Sequence, residues 1–143
     1  MSLIRFHEAQ ADPHAGYSTA LADIRGGRKT SHWIWYIFPQ LAGLGHSPMA
    51  KRYAIRDLAE ACDYLRDPLL RARYEEITAA VCEQLARGLT PEELMGSDID
   101  ALKLVSSLTL FRTAAATLAT EEMLFAPLTQ RLSLAIAQTG AED

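Results

Sequence analysis

Residues 31–40 read SHWIWYIFPQ, and this stretch decides between a helical and a mixed fold. Four aromatic side chains, including both tryptophans of the chain, lie within six positions, at Trp33, Trp35, Tyr36 and Phe38. Polar and apolar residues do not alternate here as they would along a half-exposed helix or strand. We therefore expect the run to be deeply buried or to line a pocket.

The composition of this run is compatible with a strand or with a short helix. Tryptophan, isoleucine, tyrosine and phenylalanine favour strands, but the chain contains no second strand candidate with which the run could pair. We therefore predict a short helix that is capped by Thr30 or Ser31 and continues through Ile37. It should end at Phe38, because Pro39 disfavours the helical conformation at the preceding residue.

Helix-start signals recur on both sides of the run. An N-cap residue followed by proline, or by a glutamate of a capping box, predicts a helix when apolar residues follow at spacings of three and four. We predict one helix from Asp12-Pro13 to Gly26-Gly27, and a last helix that is capped by Thr120 and carries Leu124. The other predicted starts are Ser47-Pro48, Asp57, Asp67-Pro68, Thr90-Pro91 and Ser97 or Asp98, the last with Leu102, Val105, Leu108 and Phe111 on one face. These signals predict a single all-α domain of about six helices over residues 1–143, with short connections.

Composition restricts the class of protein. A chain of 143 residues is the expected size of one domain and can bury a substantial core. The net charge of -4 argues against a nucleic-acid partner. Neither a secretory signal pattern nor a stretch of about 20 apolar residues occurs, so we expect a cytoplasmic protein without a membrane association. The four histidines and two cysteines have no ligand spacing, and we expect no metal site and no cofactor.

Basic residues lead directly into the tryptophan pair, at Arg25, Arg28, Lys29 and His32. One interpretation is that these cations offset the negative end of the preceding helix dipole, which explains Arg25 and Arg28 better than the other two. The other is a clamp for a phosphate or carboxylate beside aromatic stacking surfaces. Such an arrangement suits a nucleotide-like ligand.

A second polar cluster lies within an otherwise apolar helix, at Lys103, Ser106, Ser107 and Thr109. Serine and threonine are indifferent helix formers, so their clustering indicates either a packing requirement or a ligand. In the packing interpretation, small hydroxyl residues allow two helices to cross closely and bond to carbonyls four residues back. In the ligand interpretation they form a polar patch in which a serine and a lysine act as a nucleophile pair.

Several strings resemble the signature of a bacterial family of unknown function, number 1810 among the domains of unknown function. They are GRK at 27–29, SHWIWYIFPQLAGLGHS at 31–47, YAI at 53–55, EA at 60–61, YL at 64–65, KL at 103–104 and SSLTLF at 106–111. The similarity covers about residues 3–136, although the family usually has methionine where this chain has Ile34 and Leu108. The resemblance implies a small, mainly helical single domain and no established activity. Members are sometimes labelled calpastatin, but calpain inhibitors are disordered and polar, whereas this composition supports a buried core.

The favoured hypothesis is a binding protein or an enzyme for an anionic, nucleotide-like small molecule, with a pocket between residues 31–40 and the helix around residues 103–109. The cations would hold the anionic group and a tryptophan would stack on a ring, while His32 and Gln40 would supply proton transfer or orienting hydrogen bonds. The predicted catalytic residues are His32, Lys103 and Ser107, and the predicted ligand-binding residues are Arg28, Lys29, Trp33, Trp35, Gln40, Ser106 and Thr109.

The alternative hypothesis is a non-enzymatic interaction module, monomeric or homodimeric. In that case the aromatic run would form core together with an exposed rim that docks a partner or a second copy. Under either hypothesis Trp33 and Trp35 should differ in burial, because residues two apart on a helix point about 200° from each other.

The two polar clusters lead to one geometric expectation. We predict that Lys29, His32, Lys103 and Ser107 line one shared cleft with an aromatic wall. Half-buried cations need anionic partners. If Asp98 and Asp100 provide them, the cluster is instead an internal salt-bridge network.

Overall fold

The computed structural model describes residues 3–141, and regular structure in that range is helical apart from one isolated bridge. The α-helices are α1 Ile4–Gln10, α2 Tyr17–Arg25, α3 Ile34–Ile37, α4 Pro48–Arg52, α5 Leu58–Arg66, α6 Pro68–Ala86, α7 Pro91–Met95, α8 Asp98–Ala119 and α9 Ala126–Gln138, with a 3₁₀ turn at Met123–Phe125. Six of these helices have seven or more residues, and the predicted all-α fold is confirmed. None of the helices within residues 3–141 is long and apolar enough to cross a membrane.

Side-chain caps begin the five helices from α4 to α8, as predicted. The Asp57 carboxylate accepts a hydrogen bond from the backbone N–H of Glu60 at 2.9 Å, and Asp67 caps α6 in the same way. Thr90 and Glu93 form a reciprocal capping box at the start of α7. Ser47 and Ser97 cap α4 and α8. These bonds join residues two or three apart, so the local sequence is sufficient to predict them.

The aromatic run forms a short helix that ends at Phe38, as predicted, but its N-cap is Trp33. Neither Thr30 nor Ser31 caps it. Both residues instead donate hydrogen bonds to the carboxylate of Asp23 on α2. A tertiary contact has therefore replaced the predicted local cap.

The prediction for the N-terminal region is wrong in two respects. It missed α1, and it began the next helix at Asp12-Pro13, whereas α2 begins at Tyr17. The Asp12 carboxylate accepts hydrogen bonds from the backbone N–H groups of His14 and Ala15 and closes a turn. The chain then passes so close to itself at Gly16 that a Cβ there would lie 2.2 Å from the Asp12 carbonyl oxygen. An aspartate–proline pair can begin a turn as well as a helix.

The predicted start of the last helix is also wrong. Thr120 ends α8, where its hydroxyl donates to the carbonyl of Thr117 at 2.7 Å, and α9 begins at Ala126. Two residues assigned to buried faces, Leu102 and Leu124, are exposed. The buried face of α8 instead follows Leu104, Leu108, Phe111, Ala115 and Leu118.

Aromatic rings join α5, α6 and α8 around the end of the aromatic run. The Tyr74 and Phe111 ring centroids are 4.7 Å apart, and those of Tyr64 and Phe111 are 5.0 Å apart. Phe38 packs edge-on against Tyr74 at 5.7 Å. This arrangement places α3 against α8, and the residues that follow Phe38 emerge at the surface beside the first turns of α8.

The segment after the run is held at both ends. The backbone N–H of Ile55 donates to the Gln40 carbonyl, and the Ala42 N–H donates to the Ile55 carbonyl, each at 2.7 Å. This isolated parallel bridge closes the loop of residues 41–47 onto α4. Gly43 adopts a φ of 95° within it, a conformation that favours glycine.

Candidate functional site

The two tryptophans differ in burial, as predicted. Trp33 is completely buried, whereas Trp35 packs against the edge of the core and is partly exposed. The buried indole donates its Nε1–H to the Asp23 carboxylate at 2.9 Å. Trp33 therefore belongs to the core, and only Trp35 can contact a ligand in this structure.

The carboxylate of Asp23 organises the segment that leads into the run. It accepts hydrogen bonds from the Trp33 indole, the Thr30 backbone and hydroxyl, and the Ser31 backbone, at 2.9–3.2 Å. Burial raises the pKa of Asp23, but these hydrogen bonds outweigh it, and the pKa lies below its ordinary value. The cluster is self-contained, which gives it a structural role.

Lys29 and Lys103 both lie close to the carboxylate of Asp100. Lys29 Nζ lies 2.9 Å from Asp100 Oδ2, and Lys103 Nζ lies 3.6 Å from Asp100 Oδ1. Each ammonium group also lies over a tryptophan ring, at 5.3 Å for Lys29 on Trp33 and 5.5 Å for Lys103 on Trp35. The salt-bridge alternative is therefore realised through Asp100. The Lys29 side chain is 9% exposed and forms the closer ion pair with Asp100. The Lys103 side chain is 30% exposed.

The expectation of one shared cleft is wrong. Ser107 is completely buried, and its hydroxyl lies 2.9 Å from that of Tyr74, whose side chain reaches it from α6. Lys29 and His32, with Arg28, border an open depression near Gly96. The remaining predicted site residues lie elsewhere: Trp35, Gln40 and Lys103 line a cavity, and Ser106 and Thr109 line a neighbouring groove.

The packing interpretation accounts for part of the second cluster. The Thr109 hydroxyl donates to the Val105 carbonyl four residues back, at 2.8 Å. The small Ser107 side chain lets the Tyr74 ring approach α8 closely. Neither hydroxyl is free to act as a nucleophile in this arrangement.

The cavity between the run and α8 is the best candidate for a binding site. It has a volume of about 380 Å³ and more apolar than polar wall. Trp35 and Gln40 form one side, the 41–47 loop and α4 form another, and Lys103 extends from α8. A cavity of this size and character is typical of small-molecule sites.

The charged groups that line this cavity among the described residues are lysines. The chain has three lysines, and two of them, Lys51 and Lys103, line it together with His46. Among residues 3–141, no aspartate or glutamate lines it, and Lys51 has no ion-pair partner. The chain as a whole is acidic, so this concentration of cations fits an anionic ligand.

Gln40 is the exceptional group in the cavity wall. Its Nε2 is buried, yet it has no hydrogen-bond partner among the described residues. A buried amide without a partner costs about 1–3 kcal/mol, so native proteins rarely retain one. Because this atom has no exposed surface, an acceptor in the cavity could reach it only after the amide turns about its last side-chain bond.

Sequence reasoning missed the α4 side of the cavity. Lys51, Tyr53 and His46 line it, but the segment from Gly43 to Gly45 reads as a plain turn. The signal available was the histidine that follows the glycine pair and the lysine at the end of α4. Only the bridge between Gln40 and Ile55 brings that segment against the run.

Comparisons with known proteins agree with this description. The model of the family described as "Protein of unknown function (DUF1810)" matches residues 1–131. A search of curated proteins found no match. The crystal structure of the conserved hypothetical protein Rv1873 from Mycobacterium tuberculosis is 40% identical and superposes with a TM-score of 0.81, covering 99% of this chain and 90% of that one. The family model spans most of the chain, and we conclude that the protein belongs to the DUF1810 family.

Proposed function

We propose that this protein binds a small anionic molecule with a planar, nucleotide-like ring in the cavity between residues 31–40 and α8. The lining of the cavity carries the proposal: Lys51 and Lys103 accompany the Trp35 ring, and no carboxylate is among the described residues of the wall. The proposal concerns binding and includes no chemical step.

Each wall has a distinct role in this proposal. Trp35 offers a partly exposed aromatic surface for the ring. Lys51 and Lys103 attract the anionic group, and Gln40 orients the ligand through a hydrogen bond. Lys103 retains Asp100 as a neighbour at 3.6 Å, so Lys51 is the more available cation. Arg28, Lys29 and His32 lie at the separate depression and are not part of this site.

The alternative, docking through the aromatic run, has less support. Within the run, Trp33, Tyr36, Ile37 and Phe38 are buried and cannot form a rim. Trp35 is the only aromatic residue of the run that reaches the surface, and it does so inside the cavity.

The test is a binding titration, by calorimetry and by Trp fluorescence, with adenosine 5′-monophosphate, nicotinic acid and inorganic phosphate. We expect both ring-bearing anions to bind more tightly than phosphate. The double variant Lys51→Met/Lys103→Met should weaken them at least tenfold, since a lost charge-assisted hydrogen bond is worth about 1.5–3 kcal/mol. Trp35→Ala should weaken the ring-bearing probes and leave phosphate unchanged.

Arg87→Met is the matched control, because Arg87 is an exposed cation at the end of α6 that does not line the cavity. It should bind all three probes as the parent does. Absence of binding by either ring-bearing anion, or equal binding by the double variant and the parent, would contradict the proposal.

A further inference from the structure

An apolar groove lies beside the cavity, along α8. Leu41 and Leu44 line both, so the two spaces are adjacent. The groove has a volume of about 450 Å³, and its wall is mostly apolar. It is lined by Leu41, Leu44, Leu58, Val105, Ser106, Thr109, Leu110 and Thr113, none of which is charged.

The polar groups of this groove are largely satisfied within α8. Thr109 and Thr113 donate their hydroxyls to carbonyls four residues back, at 2.8 and 3.2 Å. Those hydroxyl protons are therefore unavailable to a ligand. Leu44 is 60% exposed, so covering its apolar surface with a ligand would be favourable.

Cavity and groove together form an elongated surface with two unlike ends. Cations and the Gln40 amide lie at one end, and uncharged, mostly apolar side chains lie at the other. The α8 residues of the groove run from Val105 to Thr113, about 12 Å at 1.5 Å per residue, which would accommodate an extended alkyl chain of about nine carbons.

We infer that the ligand is an amphiphile, an anionic molecule whose head occupies the cavity and whose linear alkyl or acyl chain lies in the groove. The inference rests on the proposed function, because the same cations and the same amide hold the head. It adds the chemical class of the ligand. Charge complementarity fixes the orientation: only the cavity end has cations for an anion, and only the groove can receive a chain without burying charge.

The experiment is a calorimetric titration with butyl, hexyl, octyl and decyl phosphate, each below its micelle concentration. Each added methylene should strengthen binding about twofold to fourfold, the upper value being equivalent to about 0.8 kcal/mol per buried CH₂. Leu58→Asn, at a leucine that lines the groove but not the cavity, should flatten this dependence on chain length and leave adenosine 5′-monophosphate binding unchanged. Leu69→Asn, at a leucine of similar exposure on α6 (46% against 39% for Leu58), should retain the parent's dependence.

The outcomes separate this inference from the proposed function. Binding of the nucleotide and of butyl phosphate, with no gain from longer chains, would overturn the amphiphile and leave the proposed function standing. So would equal chain-length dependence in the two leucine variants, which indicates adsorption elsewhere. A dimer that Leu58→Asn dissociates, without chain-length dependence, would assign the groove to a second copy instead. Failure of every anion to bind would overturn both.

Discussion

Two polar groups beside the aromatic run differ in how completely they are satisfied. Asp23 accepts four hydrogen bonds, from Thr30, Ser31 and Trp33, whereas the Gln40 Nε2 has no partner within the described residues. Gln40 ends the string of residues 31–40, whereas Asp23 lies on α2, eight residues before the string begins. The difference teaches that the first end of the run is a structural anchor, whereas the second borders the cavity that we propose as a binding site.

The largest expected effect is at the anchored end. Trp33→Ala should lower the free energy of unfolding by about 3–5 kcal/mol, because it removes a completely buried indole and leaves a cavity. Trp35→Ala, at a partly exposed position, should cost clearly less. Urea denaturation followed by circular dichroism measures both. Equal losses of unfolding free energy would show that the two tryptophans have equivalent roles, which would contradict the contrast between the two ends of the run.

Replacement of the anchoring carboxylate should have the next largest effect. Asp23→Ala leaves the Trp33 indole and the Thr30 and Ser31 backbone N–H groups without their acceptor, and should cost about 2–3 kcal/mol. Denaturation at pH 7 measures it. A loss below about 0.5 kcal/mol, the range of ordinary surface substitutions, would contradict the anchoring role.

The Asp23 carboxylate should make the free energy of unfolding depend on pH in the acidic range. Burial raises the pKa of Asp23, but its hydrogen bonds lower it further, so the folded pKa lies below the ordinary value of 3.8. The ionised form therefore stabilises the fold above that value, and this contribution is lost as the pH falls through the folded pKa. Denaturation between pH 7 and pH 2 should show a smaller acid-induced loss for Asp23→Ala than for the parent. Parallel curves would show that Asp23 is not responsible.

A smaller effect on the free energy of unfolding should distinguish Lys29, which is paired with Asp100, from Lys51, which has no ion-pair partner among the described residues. Lys29→Met removes the 2.9 Å pair with Asp100, which keeps only Lys103 at 3.6 Å, and should cost about 1–2 kcal/mol. Lys51→Met, at an exposed lysine, should change stability by less than about 0.5 kcal/mol. Denaturation at 0.1 M salt compares the two. A greater loss for the Lys51 variant would reverse the assignment.

The smallest effect on stability is expected at Gln40. Gln40→Leu removes a buried amide that has no partner, so the free energy of unfolding should stay within about 0.5 kcal/mol of the parent or rise. Binding of adenosine 5′-monophosphate should nevertheless weaken. If this variant loses more than about 1 kcal/mol without ligand, the amide has a structural partner and the contrast with Asp23 disappears.

Local features of the fold could be predicted because they depend on neighbours in sequence. Asp57, Asp67 and Thr90 cap their helices through bonds to N–H groups two or three residues away. Pro39 ended α3 for an equally local reason. Local sequence led to wrong predictions where the same residues are compatible with two structures. Asp12-Pro13 begins a turn and not a helix, and Thr120 ends a helix instead of starting one.

The candidate site was only partly predictable. Trp35, Gln40 and Lys103 were predicted as site residues, and all three line the cavity. Ser107 was predicted as well, but Tyr74, 33 residues earlier, covers it. Lys51 and His46 were missed because nothing near them in sequence shows that the 41–47 loop folds back against the run.

The sequence by itself determined the helical class, most helix ends, the unequal burial of the two tryptophans and the family resemblance, since each depends on periodicity, capping or a contiguous string. Only the tertiary structure decided which polar groups meet. The bonds from Trp33 to Asp23 and from Lys29 to Asp100, and the bridge from Gln40 to Ile55, join distant positions. Such contacts follow from how helices pack around the shared core, and spacing along the chain carries no record of that packing.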